Sequence, residues 1–195
     1  METAVLDACV LFRGGMRDFL LSLADTGAFL PAWSDLIHDE WTRNRETTGN
    51  AKQRQTRAQT TRTKGLMEAA FPGSNMPVDQ DRLEDILGRC GNQAQRKDAH
   101  VIMTAVVAEA ATIVTLNPDD FAPDVLAHFN LRKESPDEFL ARLFPTMTNE
   151  FIAGARAQRQ RLKAPPYEAA AFLAHIAGIG FPKSAGLLTP HLSRI

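Results

Sequence analysis

The sequence predicts an α/β fold built on a central parallel sheet, with a helical C-terminal part, and three observations carry that expectation. Short apolar runs rich in β-branched residues alternate with segments whose apolar residues recur at helical spacing. Acids stand where strands should end and helices begin. Beyond residue 130 the strand-like runs stop and only helical patterns follow. Alternating strands and helices favour parallel pairing with right-handed crossovers.

Residues 3–10 read as a first strand buried on both faces, bounded by Arg13-Gly14-Gly15. Met16, Phe19, Leu20 and Leu23 mark a helix that stops at Thr26-Gly27. Phe29-Leu30-Pro31-Ala32-Trp33 is a second strand, and its proline places it at an edge or a strand end. Ser34 suits the N-cap of a helix carrying Leu36, Ile37, Glu40 and Trp41. A long polar helix is expected over 50–70, closed by Phe71-Pro72-Gly73, and an amphipathic one over 79–88. Asp98 opens a helix through Val101, Ile102, Ala105 and Val106, which leads into a strand over 111–115. Residues 1–130 thus form one domain and 131–195 a helical extension. In the extension, Ser135-Pro136-Asp137-Glu138 is a capping box with proline at the first helical position. Helices over about 149–162, 166–176 and 183–188 complete it.

The chain has 195 residues, 44% hydrophobic and 23% charged, which excludes gross disorder. A net charge of −1 means that any affinity for nucleic acid must come from local patches. Cys9 and Cys90 make no zinc spacing and read as thiols of a reducing cytoplasm. Glu2 and Asp7 stand where a signal peptide needs a basic start, and no apolar run reaches the roughly 18 residues of a bilayer span. A cytoplasmic protein without a membrane partner is the expectation.

Asp7 ends the first strand, Asn117 follows the strand over 111–115, Asp98 opens the helix before that strand, and Glu40 lies in the second turn of another helix. In open parallel sheets, ligands gather at the carboxyl ends of strands. Four oxygen donors without cysteine favour Mg2+, or Mn2+, over zinc. Such an ion activates water for attack on a phosphodiester, so Asp7, Glu40 and Asp98 are the candidate catalytic and metal-binding acids. Taken singly, each acid reads equally well as a helix cap or a solvated charge; Asp7, in so apolar a strand, is the hardest to explain that way.

These blocks, Val5-Leu6-Asp7-Ala8-Cys9-Val10, the run from Trp33 to Trp41, Asp98-Ala99-His100-Val101 and Thr115-Leu116-Asn117-Pro118-Asp119-Asp120-Phe121, resemble the PIN domain family. Within it they are most similar to the branch of VapC-type toxins with a C-terminal helical extension, over roughly residues 3–128. The resemblance implies a PIN-like α/β/α sandwich and a magnesium-dependent ribonuclease. Asp7, Glu40 and Asp98 would be its metal-binding acids, with Asn117 at the fourth position and Asp120 as a supplement. It also implies a cognate antitoxin and a homodimer. Asp18 matches a recurrent acid of the branch and is read as structural. Two departures weaken the charge offered to a cation: Lys97 stands where relatives often have another acid, and Asn117 is an amide.

Arg43, Arg45, Lys52, Arg54, Arg57, Arg62 and Lys64 face a single acid, Glu46, and form a candidate RNA-binding segment or a solvated helix face. Arg156, Arg159, Arg161 and Lys163 form a second basic cluster, suited to substrate or to an acidic partner. His38 and His100 read as hydrogen-bonded helix residues, Trp33 and Trp41 as core anchors, and Gly14-Gly15 lacks the lysine of a phosphate loop. The leading expectation is therefore a ribonuclease toxin. The alternative is a PIN-like RNA- or protein-binding module of weak or no catalytic power, and a phospho-accepting receiver domain lacks the paired acid and lysine it needs.

Overall fold

β1 (Thr3–Leu6) is shorter than the apolar run that contains it, because Asp7 turns the chain. The Asp7 carbonyl accepts the Val10 and Leu11 amides at 3.0 and 3.1 Å, winding residues beyond it into the single turn α1 (Ala8–Leu11). The structure is a computed structural model and describes residues 1–50, 54–164 and 166–195. α2 (Gly14–Asp25) buries Met16, Phe19, Leu20 and Leu23 and ends at Gly27, whose φ of +86° is the left-handed conformation that glycine adopts without strain.

β2 (Leu30–Ser34) leads into α3 (Asp35–Thr47), with the Ser34 hydroxyl accepting from the Ile37 amide. The polar helix begins later than its composition suggests, as α4 (Arg57–Ala70), because Thr56 and Gln59 close a capping box. Residues 51–53, the middle of that expected helix's first part, lie outside the described residues. β3 (Asn75–Met76), α5 (Gln80–Arg89), α6 (Gln93–Lys97) and α7 (Ala99–Val107) follow, with Asp79 and Asn92 capping α5 and α6. Next come β4 (Thr112–Val114), a 3-10 turn at Pro118–Asp120, α8 (Pro123–His128) and β5 (Arg132–Glu134). Four helices end the chain: α9 (Pro136–Leu143), α10 (Thr148–Arg161), α11 (Ala169–Gly178) and α12 (Pro182–Leu188), before a 3-10 stretch at Thr189–Arg194.

The fold is α/β: a five-stranded parallel sheet in the order β3-β2-β1-β4-β5, flanked by helices, together with C-terminal helices. β2 is interior and not an edge; of the two placements that Pro31 suggests, the strand end is the one found, the proline being the second residue of the strand. The proline is tolerated because pairing with β3 begins only at Trp33↔Asn75, past the residue that lacks an N–H. β3 and β5 were not anticipated. One is two residues long, and the other is Arg-Lys-Glu, a charged strand of the kind that protects a sheet edge and shows no apolar pattern.

The described residues divide into two compact units that do not follow chain order. One comprises residues 2–12 and 31–134 and holds the sheet. The other comprises residue 1, residues 13–30 and residues 135–195, so α2 belongs with the C-terminal helices. Within that helical unit Phe19 meets Phe181 edge-on at 5.0 Å, and Phe29 meets Phe139 likewise at 5.0 Å. Each buried phenyl ring contributes about 2–3 kcal/mol. Gly154 lets α10 lie directly on α2, with the Ser22 carbonyl only 2.7 Å from where a Cβ would stand. The buried Asp137 carboxylate accepts the Lys183 and Ser184 amides at 2.8 and 2.9 Å and the Ser184 hydroxyl at 2.7 Å, so it caps α12.

Candidate functional site

The sheet order reverses at β1: the chain runs outward through β2 and β3 on one side, then through β4 and β5 on the other. The carboxyl ends of β1 and β4 lie side by side there, with Leu6 paired to Val114 and the Asp7 amide donating to the Val114 carbonyl at 3.1 Å. This is the switch point at which parallel sheets hold ligands.

Asp7 is 4% exposed and is held by its neighbours. Its Oδ2 accepts the Thr115 hydroxyl at 2.7 Å and the Cys9 thiol at 3.0 Å. Thr115 Oγ1 in turn accepts the Asn117 amide at 3.0 Å, and Cys9 Sγ accepts the Leu116 amide at 3.2 Å. The loop after β4 is thereby tied to the carboxylate at the end of β1. Burial, then the charge of Asp7, pushes the Cys9 thiol up to about 12. Cys9 therefore remains a protonated donor to Asp7.

Asp98 occupies the N-cap position of α7, yet its side chain makes no capping bond. Burial raises its carboxyl to about 7, assisted by the charges of Asp7, Asp120 and Glu40. A carboxylate in that condition has several like charges near it and too little to offset them. Glu40, on α3, is kept below the usual carboxylate range chiefly by His100, with burial opposing and Arg43 and Lys97 assisting. His100 Nδ1 donates to the Lys97 carbonyl at 2.8 Å, and its Nε2 stands 3.3 Å from Glu40 Oε2. That second contact is out of line for a hydrogen bond, so it is electrostatic, an ion pair when the ring is protonated. Burial works against a charged His100 ring, but Glu40 and the Lys97 carbonyl outweigh it and the ring is held above its ordinary value.

Glu40, Arg43, Lys97, Asp98 and His100 line one cleft of about 530 Å³. Asp7 and Asp120 are not in its walls, though both act on Asp98 through their charge. Asn117 is exposed, next to the 3-10 turn that carries Asp120. Among the described residues, no three His, Cys, Asp or Glu side chains stand in an arrangement that would ligate a single ion. The donor set nonetheless fits magnesium, which takes one or two carboxylates directly and keeps water on its other positions. Zinc favours thiolates and imidazoles, but here the Cys9 thiol donates to Asp7 and the His100 ring is engaged with Glu40 and the Lys97 carbonyl. Asp18 lies on α2, in the helical unit, and pairs with Arg17 at 2.9 Å.

The basic segment separates into different roles. Arg43 borders the cleft. Arg45 lies 5.2 Å over the Phe12 ring and donates to Gln55, and Arg54 donates to the Gly49 carbonyl at 2.9 Å. Lys64 is spent on Asp35 at 2.8 Å, while Arg57 and Arg62 are exposed on α4. Lys52 lies outside the described residues.

His38 is a buried framework residue. Trp41 Nε1 donates to its Nδ1 at 2.9 Å, so His38 Nε2 carries the proton and donates to Glu68 at 2.8 Å; Trp33 Nε1 donates to the same carboxylate oxygen at 3.0 Å. Burial, the largest influence, lowers the His38 pKa and keeps the ring neutral. Sequence reasoning missed Glu68 and Thr115. The i, i+3 spacing of His38 and Trp41 is a visible signal, but the acceptor that His38 shares with Trp33 comes 30 residues after His38. Thr115 sits one residue past β4, where only the asparagine after it drew notice.

Residues 136–190 match the family model described as the VapC50 C-terminal domain, so the C-terminal helices are similar to a domain of VapC-type toxins. No curated protein and no solved structure matches the chain. No helix among the described residues is long and apolar enough to cross a membrane.

Proposed function

We propose that the protein is a magnesium-dependent endoribonuclease of PIN-like type, acting as the toxin of a type II toxin–antitoxin pair. The observation that carries this reading is the gathering of Asp7, Glu40 and Asp120 around Asp98 at the switch point of a parallel sheet. Charges of one sign are costly to bring together, and a divalent cation relieves that cost. The likeness of the C-terminal helices to the VapC50 C-terminal domain supports the toxin context, in which an antitoxin protein is the partner and a homodimer the assembly.

Asp7 and Asp98 would hold the ion, with Glu40 and Asp120 beside them and Asn117 offering a neutral oxygen. When bound, magnesium supplies a water of lowered pKa to attack the phosphodiester. Thr115 and Cys9 both hold Oδ2 and so fix the rotamer of Asp7, and Oδ1 would take the ligand. His100 keeps Glu40 ionised and thus able to receive a proton. Arg43 and Lys97, on the cleft wall, attract the phosphates of an approaching RNA. A non-catalytic RNA- or protein-binding module is the second reading, favoured by the lack of a three-residue ligand cluster among the described residues and by Lys97 in the cleft.

Asp7→Asn tests the proposal, because the amide oxygen still accepts from Thr115 while the charge is gone. Incubated with a pool of cellular RNAs and magnesium, the native protein should cut and the variant should not, with matching thermal melts. Cleavage that persists in Asp7→Asn, or in excess chelator, refutes the nuclease reading. Magnesium titrated by calorimetry should give heat that depends on Asp7 and Asp98, whereas the binding module gives none.

A further inference from the structure

The basic cluster on α10 divides by direction. Arg159 turns inward and donates to the Tyr167 and Ile195 carbonyls, both at 2.9 Å. Arg161 donates to Ser22 and pairs with Asp25 at 3.1 Å. Arg156 instead faces a groove of about 420 Å³ between α10 and the 3-10 stretch at Thr189–Arg194, and Arg194 flanks it from the other side. Asn149, Gln160 and Ser193 supply neutral hydrogen-bonding groups around the two guanidinium groups. Arg194 Nη2 donates to Asn149 Oδ1 at 2.9 Å, which orients its remaining N–H groups. Among the described residues, no acid lines the groove.

The lining selects its occupant. Its apolar part is Ile152, Ala153 and Ala157, with Ile152 only 3% exposed, so no deep pocket receives the apolar anchor on which peptide docking depends. Among the described residues, no aromatic ring lines the groove to stack a base. What remains is two guanidinium forks, that of Arg194 oriented by Asn149, with amide and hydroxyl donors, a match for successive phosphates of a polyanion. We propose that this groove binds the phosphate backbone of single-stranded RNA without regard to base, as a secondary anchor for the substrate. The inference rests on the ribonuclease reading for its biological sense, but the binding itself does not require cleavage.

The test uses the full chain, a fluorescein-labelled oligouridylate and excess chelator, with binding read by fluorescence anisotropy across a salt series. Each phosphate contact contributes about 0.7 to the slope of log affinity against log salt on a single strand. Replacing Arg156 and Arg194 together by glutamine should flatten the slope by about 1.4, so that native affinity falls about sevenfold more than the variant's between about 50 and 200 mM salt. The double Arg→Lys variant should keep the native slope, and circular dichroism melts confirm that both variants fold. An unchanged slope in the glutamine variant overturns the proposal. Arginine-dependent binding of polyglutamate tighter than that of RNA also overturns it, in favour of an acidic protein partner. Groove-dependent binding without magnesium-dependent cleavage defeats the nuclease reading alone, and cleavage with an unaltered salt slope defeats the groove alone.

Discussion

Asp98→Asn should make the metal-free protein more stable at neutral and alkaline pH. In the folded chain its carboxyl rises from 3.8 to about 7, first through burial and then through Asp7, Asp120 and Glu40. At about 1.4 kcal/mol per pH unit, that difference would amount to about 4 kcal/mol for a wholly buried group. Water reaches part of this carboxyl and screens it, which leaves about 2 kcal/mol. The sign follows from linkage: the folded state holds the proton more tightly than the unfolded chain, so stability is full below pH 4 as far as this group is concerned. It is lost as pH rises through about 7. Urea unfolding after chelation, at pH 5 and pH 8, should show the native protein losing about 1 kcal/mol more than Asp98→Asn, the rest having gone between pH 4 and 5. Magnesium should restore much of the loss in the native protein and little in the variant. Equal pH dependence in both proteins would refute the claim that uncompensated carboxylates surround Asp98.

Three further substitutions probe the framework. Gly154→Ala places a methyl group 2.7 Å from the Ser22 carbonyl and 3.0 Å from Leu23 Cα, backbone that cannot swing aside, and should cost about 1–3 kcal/mol in urea unfolding. Asp137→Ala removes the acceptor of three donors at the start of α12 and should lower stability by about 2 kcal/mol, with Asp137→Asn recovering part of it. Glu68→Ala leaves the N–H groups of Trp33 and His38 buried without their acceptor; a loss of about 1–3 kcal/mol and a changed tryptophan fluorescence spectrum are the expected readings.

Much of this molecule could be read from local chemistry. Ser34, Ser135 and Asp79 each cap the helix that follows them, and Asp98 stands at the start of α7 as the helical pattern predicts. The expectation failed where pairing is decided by distant residues. Arg132–Glu134 is a strand only because Thr112–Val114 lies beside it, and Asn75–Met76 only because Trp33 and Ser34 do. The first strand was overextended because Ala8, Cys9 and Val10 are apolar in either conformation, and the turn at Asp7 is made by backbone bonds without a glycine or proline to mark it. In the site, the acids were visible one at a time. The hold of Thr115 on Asp7 and of His100 on Glu40 depends on which elements become neighbours, and no spacing in the chain encodes that.

The placement of α2 with the late helices has a consequence for biosynthesis. Ser22, near the middle of that early helix, finds its partner Gln158 only 136 residues further along. At a ribosomal rate of about 5–20 residues per second, the apolar stripe of Met16, Phe19, Leu20 and Leu23 waits on the order of ten seconds for α10 and the helices after it. A nascent chain in that state is a client for chaperones and an easy target for proteases. Premature termination anywhere before α10 would leave the stripe without its partners in the helical unit, so truncated products should be cleared quickly.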